Sequence, residues 1–149
     1  MSRLDETPIV FSKWKGIDGA EEFITQKTGC KPFSGAGINP RSKQKTTILK
    51  SVDQTEYYDD DMTDPNIVKY TLFGPSGDQS ETEKRFNEPL LNTDKTRHIY
   101  LYRVRKIGKR NEYIWYGKYE IIDKNTKQHI GIDYNMRNII VLTLKKIGN

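Results

Sequence analysis

The stretch RHIYLYRVRKIG (Arg97–Gly108) decides the fold. Ile99, Leu101 and Arg103 alternate with Tyr100, Tyr102, Val104 and Lys106, the period of two that puts successive side chains on opposite faces of a strand. EYIWYGKYEIID (Glu112–Asp123) and RNIIVLTLKKIG (Arg137–Gly148) follow in the same style. Three such runs in series predict neighbouring strands of a curled sheet or small barrel. Upstream, KTTILKSV (Lys45–Val52) and NIVKYTLFG (Asn66–Gly74) are rich in β-branched and aromatic residues and read as two more strands.

Helical signals are fewer. DGAEEFITQKTG (Asp18–Gly29) has Asp18 and Glu21 at capping-box spacing and Gly29 as a stop. SETEKRFNEPLLN (Ser80–Asn92) starts the same way with Ser80 and Glu83, and Pro89 ends or kinks it. Between them, KPFSGAGINPRS (Lys31–Ser42) reads as a loop broken by glycines and prolines. The pattern is an α+β fold, and with no repeat or linker the 149 residues read as one domain, 1–149.

Composition narrows the function. The chain is polar, with 30% charged residues and a mean hydropathy of −0.81, yet its 16 aromatics, nine Tyr, five Phe and two Trp, argue against disorder. No apolar run approaches a membrane span, and the N-terminus lacks the apolar core of a secretory signal. Cys30 is the one cysteine, so no internal disulfide forms and a reducing, cytoplasmic or nuclear setting is expected. With only His98 and His129 beside it, a dedicated zinc site is not expected. Charge is uneven: residues 1–94 hold 12 Lys/Arg against 16 Asp/Glu, while residues 95–149 hold 13 against 4. A basic half of that kind predicts a polyanionic partner, most often nucleic acid.

Against this background EYYDDDMTDP (Glu56–Pro65) gathers acids beside tyrosines. Three uses fit it: a divalent-cation site, an exposed acidic turn, or a base pocket in which aromatics stack and a carboxylate accepts from an exocyclic amine. The EF-hand pattern is not met, since the central Gly and the closing Glu are missing. A wider pattern favours the third use. GINPRS (Gly37–Ser42), YDDD (Tyr58–Asp61), YT (Tyr70–Thr71) twelve residues after Tyr58, Gly74, GDQ (Gly77–Gln79), Asn87 with Leu90 and Leu91, IYLYRV (Ile99–Val104) and YIWYGKYEII (Tyr113–Ile122) occur in one order. Together they resemble the SRA domain, also called the YDG domain, a base-flipping reader of modified cytosine in the PUA-like superfamily.

The resemblance implies a curled PUA-like β-barrel with flanking helices and a non-catalytic reader of double-stranded DNA carrying 5-methylcytosine or 5-hydroxymethylcytosine. It implies no cofactor, and any nuclease would be a separate domain or subunit, as in modification-dependent restriction systems. In the base pocket, Tyr58 and Tyr70 would sandwich the extruded base, and Asp61 would accept its exocyclic amine. Thr71 and Gly74 would line the wall. Ser34, Arg41, Ser42, Gln79, Arg103 and Arg105 would face the DNA backbone or groove, the last two sharing one strand face by alternation. The wedge loop of the family falls at Gly35, which has no side chain to insert, flanked by Phe33 and Ser34. Gly77 runs straight into Asp78 without the inserted finger of eukaryotic members, and Trp115-Tyr116-Gly117 lacks the namesake Asp. Two other classes stay open: a PUA-like RNA-binding or nucleotide-binding domain, and a small metal-dependent nuclease built on fragments such as ETEK (Glu81–Lys84).

Overall fold

A computed structural model describes residues 8–32, 37–53 and 58–149. Its elements are β1 (Ile9–Phe11), α1 (Ala20–Thr28), β2 (Ile38–Arg41), β3 (Thr46–Val52), β4 (Ile67–Thr71), α2 (Asn87–Leu91), β5 (His98–Ile107), β6 (Arg110–Ile130) and β7 (Met136–Gly148). The strands form a seven-stranded sheet in the order β2-β3-β5-β6-β7-β4, with β1 added beside β6. β6 is the spine. Its first half pairs with β5 and β1, and its second half pairs with β7. The β3–β5 pairing is parallel, and the connection between them carries β4 and α2.

Alternation along each strand splits the apolar residues between two cores. Leu49, Leu101 and Ile114 join Val68, Tyr70, Leu142 and Leu144 on one face of the sheet. Their neighbours Ile48, Tyr102 and Trp115 pack on the other face beneath Ala20 and Ile24 of α1. Burying an aromatic or large aliphatic side chain of this kind contributes about 1.5–3 kcal/mol. Cys30 belongs to the second core, and burial raises its thiol pKa.

The strand-rich α+β expectation holds, and four details are corrected. The sheet is open rather than a closed barrel: β2 and β4 are its edges, and no backbone ladder joins them among the described residues. Side chains bridge the gap instead. The Tyr70 hydroxyl of β4 is shared between the carbonyls of Gly37 (2.9 Å) and Lys50 (3.0 Å) across the seam. Second, Ile38–Arg41 is a strand despite Pro40, because an edge strand has one side on which a missing N–H costs nothing. Third, the helix in Ser80–Asn92 is only Asn87–Leu91. Glu83 caps it, its carboxylate accepting from the N–H groups of Phe86 (2.8 Å) and Asn87 (3.1 Å). Pro89 then sits in the first turn, where its absent N–H has no partner to lose. In α1 the expected Asp18–Glu21 box does not form; Gly19 is the N-cap with no side-chain cap bond.

Gly117 is required where β5, β6 and β7 meet. Its φ is 115°, and a Cβ there would collide with the Gly148 carbonyl oxygen. Backbone strain of this type costs about 1–3 kcal/mol before the collision is added. Gly117→Ala should therefore lower the urea midpoint substantially at unchanged m-value. A midpoint equal to wild type would show that the strand ends yield freely there.

Candidate nucleic-acid interface

The seam between the sheet edges is where three of the predicted pocket residues, Tyr58, Tyr70 and Thr71, meet. A cavity of about 480 Å³ opens there, walled by Tyr58, Asp60, Tyr70, Thr71, Lys50 and Phe73. Tyr70 forms one wall from within the core, 3% exposed, with its hydroxyl held by the seam bonds above. Tyr58 is half-buried opposite the core, and desolvation raises its pKa. The Arg137 guanidinium lies 5.9 Å from the Tyr58 ring centroid and donates to the carbonyl of Gly74. At the rim, Arg85 covers Phe73 (5.1 Å) and Phe86 (5.3 Å), which pack edge to face.

Register decides which acid enters the cavity. Asp61 bridges Lys69 in antiparallel fashion, with N–O distances of 2.9 Å and 3.0 Å. Directly opposed residues share a face, so Asp61 goes out with Lys69, while Asp60 and Met62 go in with Tyr70 and Val68. The Asp60 carboxyl accepts from the Thr71 N–H (2.7 Å) and the Ser51 hydroxyl (2.7 Å), tying β3 to β4 across the seam. Desolvation pushes its pKa up, against those two bonds. Asp61 is exposed and caps a turn, accepting from Thr63 N–H (3.0 Å) and Thr63 Oγ1 (2.7 Å), which hold its carboxyl below the usual range. It does not line the Tyr58–Tyr70 cavity. Of the other acids, Asp59 pairs with Lys127 and Asp64 caps the turn at Asn66.

The remaining expected residues separate. Thr71 lines the cavity, and its hydroxyl accepts from Asp59 N–H at 2.8 Å. Gly74 stands behind Tyr58, in a loop that Gln79 staples to β7. The Gln79 amide donates to Leu72 O (2.7 Å) and Gly74 O (3.0 Å) and accepts from Ile140 N–H (2.8 Å), so its polar atoms are spent inside the fold rather than offered to DNA. Arg103 and Arg105 do share a strand face, but each is ion-paired, Arg103 with Asp53 and Arg105 with Glu112. Both guanidiniums on this face of β5 are thus held by carboxylates while staying partly exposed. Arg41 donates to Lys31 O, and with Ser42, Lys31 and Lys43 it borders a separate polar cavity of about 500 Å³. Ser34, with Phe33 and Gly35, lies outside the described residues, as does Tyr57. Among the described residues no group of three or more His, Cys, Asp or Glu is placed to hold a metal ion. No helix among them is long and apolar enough to cross a membrane.

The ScoMcrA-like SRA domain model matches residues 20–149. The chain belongs to that SRA family. Solved structures of the same fold include the type IV phosphorothioation-dependent restriction endonuclease ScoMcrA, with TM-score 0.60 and 18% identity over 95% of this chain and 28% of that one. The sulfur-binding and SRA domains of ScoMcrA, complexed with phosphorothioated DNA, give 0.57 and 18% over 95% and 40%. The SUVH5 SRA domain with fully methylated CG DNA gives 0.53 and 20% over 78% and 77%. This SRA domain therefore spans well under half of the ScoMcrA chains it matches. A search of curated proteins finds no match.

Proposed function

We propose that this SRA domain is a non-catalytic reader that takes one modified cytosine, extruded from duplex DNA, into the Tyr58–Tyr70 cavity. The observation that carries the reading is the Asp60 carboxyl, desolvated between two tyrosines at the seam of the sheet. Cytosine offers an amine donor at C4 and an acceptor at N3 on its Watson–Crick edge. A carboxyl holding its proton matches both, accepting from the amine and donating to N3. Thymine has an oxygen where cytosine has the amine; because a carboxyl can carry its proton on either oxygen, discrimination against thymine rests on the Thr71 N–H, which donates to Oδ1 at 2.7 Å and keeps that oxygen an acceptor. Stacking on the tyrosines contributes about 1–3 kcal/mol per base whichever base enters. Family membership supports this reading, as do the modified DNAs named for ScoMcrA and SUVH5. A nuclease domain or subunit would complete a restriction system around it, and the single domain 1–149 would be its recognition module.

The basic half supplies attraction that ignores sequence. Duplex affinity should fall steeply with salt, log K dropping by roughly 0.9 per log unit of salt for each phosphate contacted. Titration of one duplex at several salt concentrations checks this; a flat response speaks against a DNA reader. The deciding experiment titrates duplexes of one sequence carrying cytosine, 5-methylcytosine or 5-hydroxymethylcytosine, with RNA of that sequence beside them. Tighter binding to a modified DNA supports the reading, and equal or better binding to RNA favours the PUA-like alternative.

A further inference from the structure

Tyr58 and Asp60 have a second side. Together with Val52 they are shared between the base cavity and a neighbouring one of about 230 Å³, whose further walls are Ser51, Asp53, Asp61, Met62, Thr63 and Arg103. Its lining is more polar than apolar, and its polar groups are only partly spent. Arg103 meets Asp53 in a fork, Nε to Oδ1 at 2.7 Å and Nη2 to Oδ2 at 3.0 Å, and both side chains remain about a quarter exposed, at 26% and 23%. The third guanidinium nitrogen makes one long contact, 3.4 Å to the Tyr116 hydroxyl. Thr63 Oγ1 and Asp61 add a hydroxyl and a second carboxylate.

We propose that this annexe receives the substituent of the extruded base, and that the substituent is a hydroxyl-rich group of sugar size. The inference rests on the base-pocket reading above. At about 30 Å³ per water, the annexe has room for roughly seven waters. A methyl or hydroxymethyl group adds one or two heavy atoms and leaves most of that space to solvent. A sugar fills it. Each hydroxyl both donates and accepts, which suits a carboxylate and a guanidinium side by side, and both contacts are charge-assisted. The lining disfavours the other classes. A phosphate-bearing substituent would face the carboxylates of Asp53 and Asp61, and an apolar one would strip water from the ion pair without replacing its hydrogen bonds.

The test uses the full chain and one duplex with a single position carrying cytosine, 5-methylcytosine, 5-hydroxymethylcytosine or glucosylated 5-hydroxymethylcytosine. The glucosylated duplex should bind about tenfold more tightly than the hydroxymethylated one, the weight of one charge-assisted hydrogen bond. Asp53→Asn should remove that gain while leaving 5-methylcytosine binding unchanged. Thr63→Val, at the exposed turn, should reduce it without disturbing the ion pair. Glucosylated DNA bound no better than hydroxymethylated DNA, or a gain that survives both substitutions, overturns the annexe while the base pocket stands. Failure to bind any modified duplex overturns the base pocket and the annexe together.

Discussion

Replacing Asp60 with Ala should abolish the preference for modified cytosine, whereas Asp61→Ala should leave it near wild type. Losing the two hydrogen bonds of the neutral acid, at about 0.5–1.5 kcal/mol each, weakens binding by roughly five- to a hundredfold. Asp61 spends its carboxylate on its own turn at Thr63, so its removal touches local geometry rather than the base. Asp60→Ala also strands the Thr71 N–H and the Ser51 hydroxyl, so Asp60→Asn is the companion variant. The amide keeps an acceptor for Thr71 and presents cytosine with the donor–acceptor pair of the neutral acid. The direction of the Asp60 shift fixes the pH dependence. A raised carboxyl pKa means that stability is fully present below the ordinary aspartate value and is lost as pH rises through the raised one. Binding through the protonated acid follows the same sign: affinity should rise as pH falls through that value, and Asp60→Asn should flatten the profile. Unimpaired discrimination in Asp60→Ala, measured by titrating modified and unmodified duplexes, would remove Asp60 from the reading role.

Tyr58→Ala should weaken binding to every modified duplex by about 1–3 kcal/mol, the value of one lost stacking face, with little change in which base is preferred. Tyr70 is not its equivalent. Its ring belongs to the core and its hydroxyl holds the seam, so Tyr70→Ala should destabilise the fold by about 3–5 kcal/mol, as truncating a buried aromatic does. Tyr70→Phe, which keeps the ring, separates stacking from the seam bonds. Comparable unfolding midpoints for Tyr58→Ala and Tyr70→Ala would contradict this division of labour.

The strands were legible because alternation is local. Ile48 against Leu49 and Leu101 against Tyr102 announce their opposite faces within two residues. The Tyr58 to Tyr70 interval was legible through the family pattern, and both rings do line one cavity. The identity of the inward acid was not, because four carboxylates in one short run look alike until a register is set. The Asp61–Lys69 bridge sets it, and nothing within YDDD announces that bridge. The fates of Arg103 and Gln79 were hidden for a related reason: Asp53 lies fifty residues from Arg103, and the β7 backbone lies about sixty from Gln79. Pro40 concealed β2, since a proline reads as a breaker unless the strand is known to be an edge. Arg137, set over Tyr58 from β7, carried no local signal at all.

Extrusion of one base into the seam is the central claim, and the imino proton spectrum of a duplex tests it most directly. On binding to a duplex with a single modified cytosine, the imino resonance of the guanine opposite should disappear while those of distant pairs persist. With Tyr58→Ala or Asp60→Ala it should survive at equal saturation. A guanine imino signal that stays intact in the saturated wild-type complex would mean the cytosine remains paired, and the base pocket would be wrong.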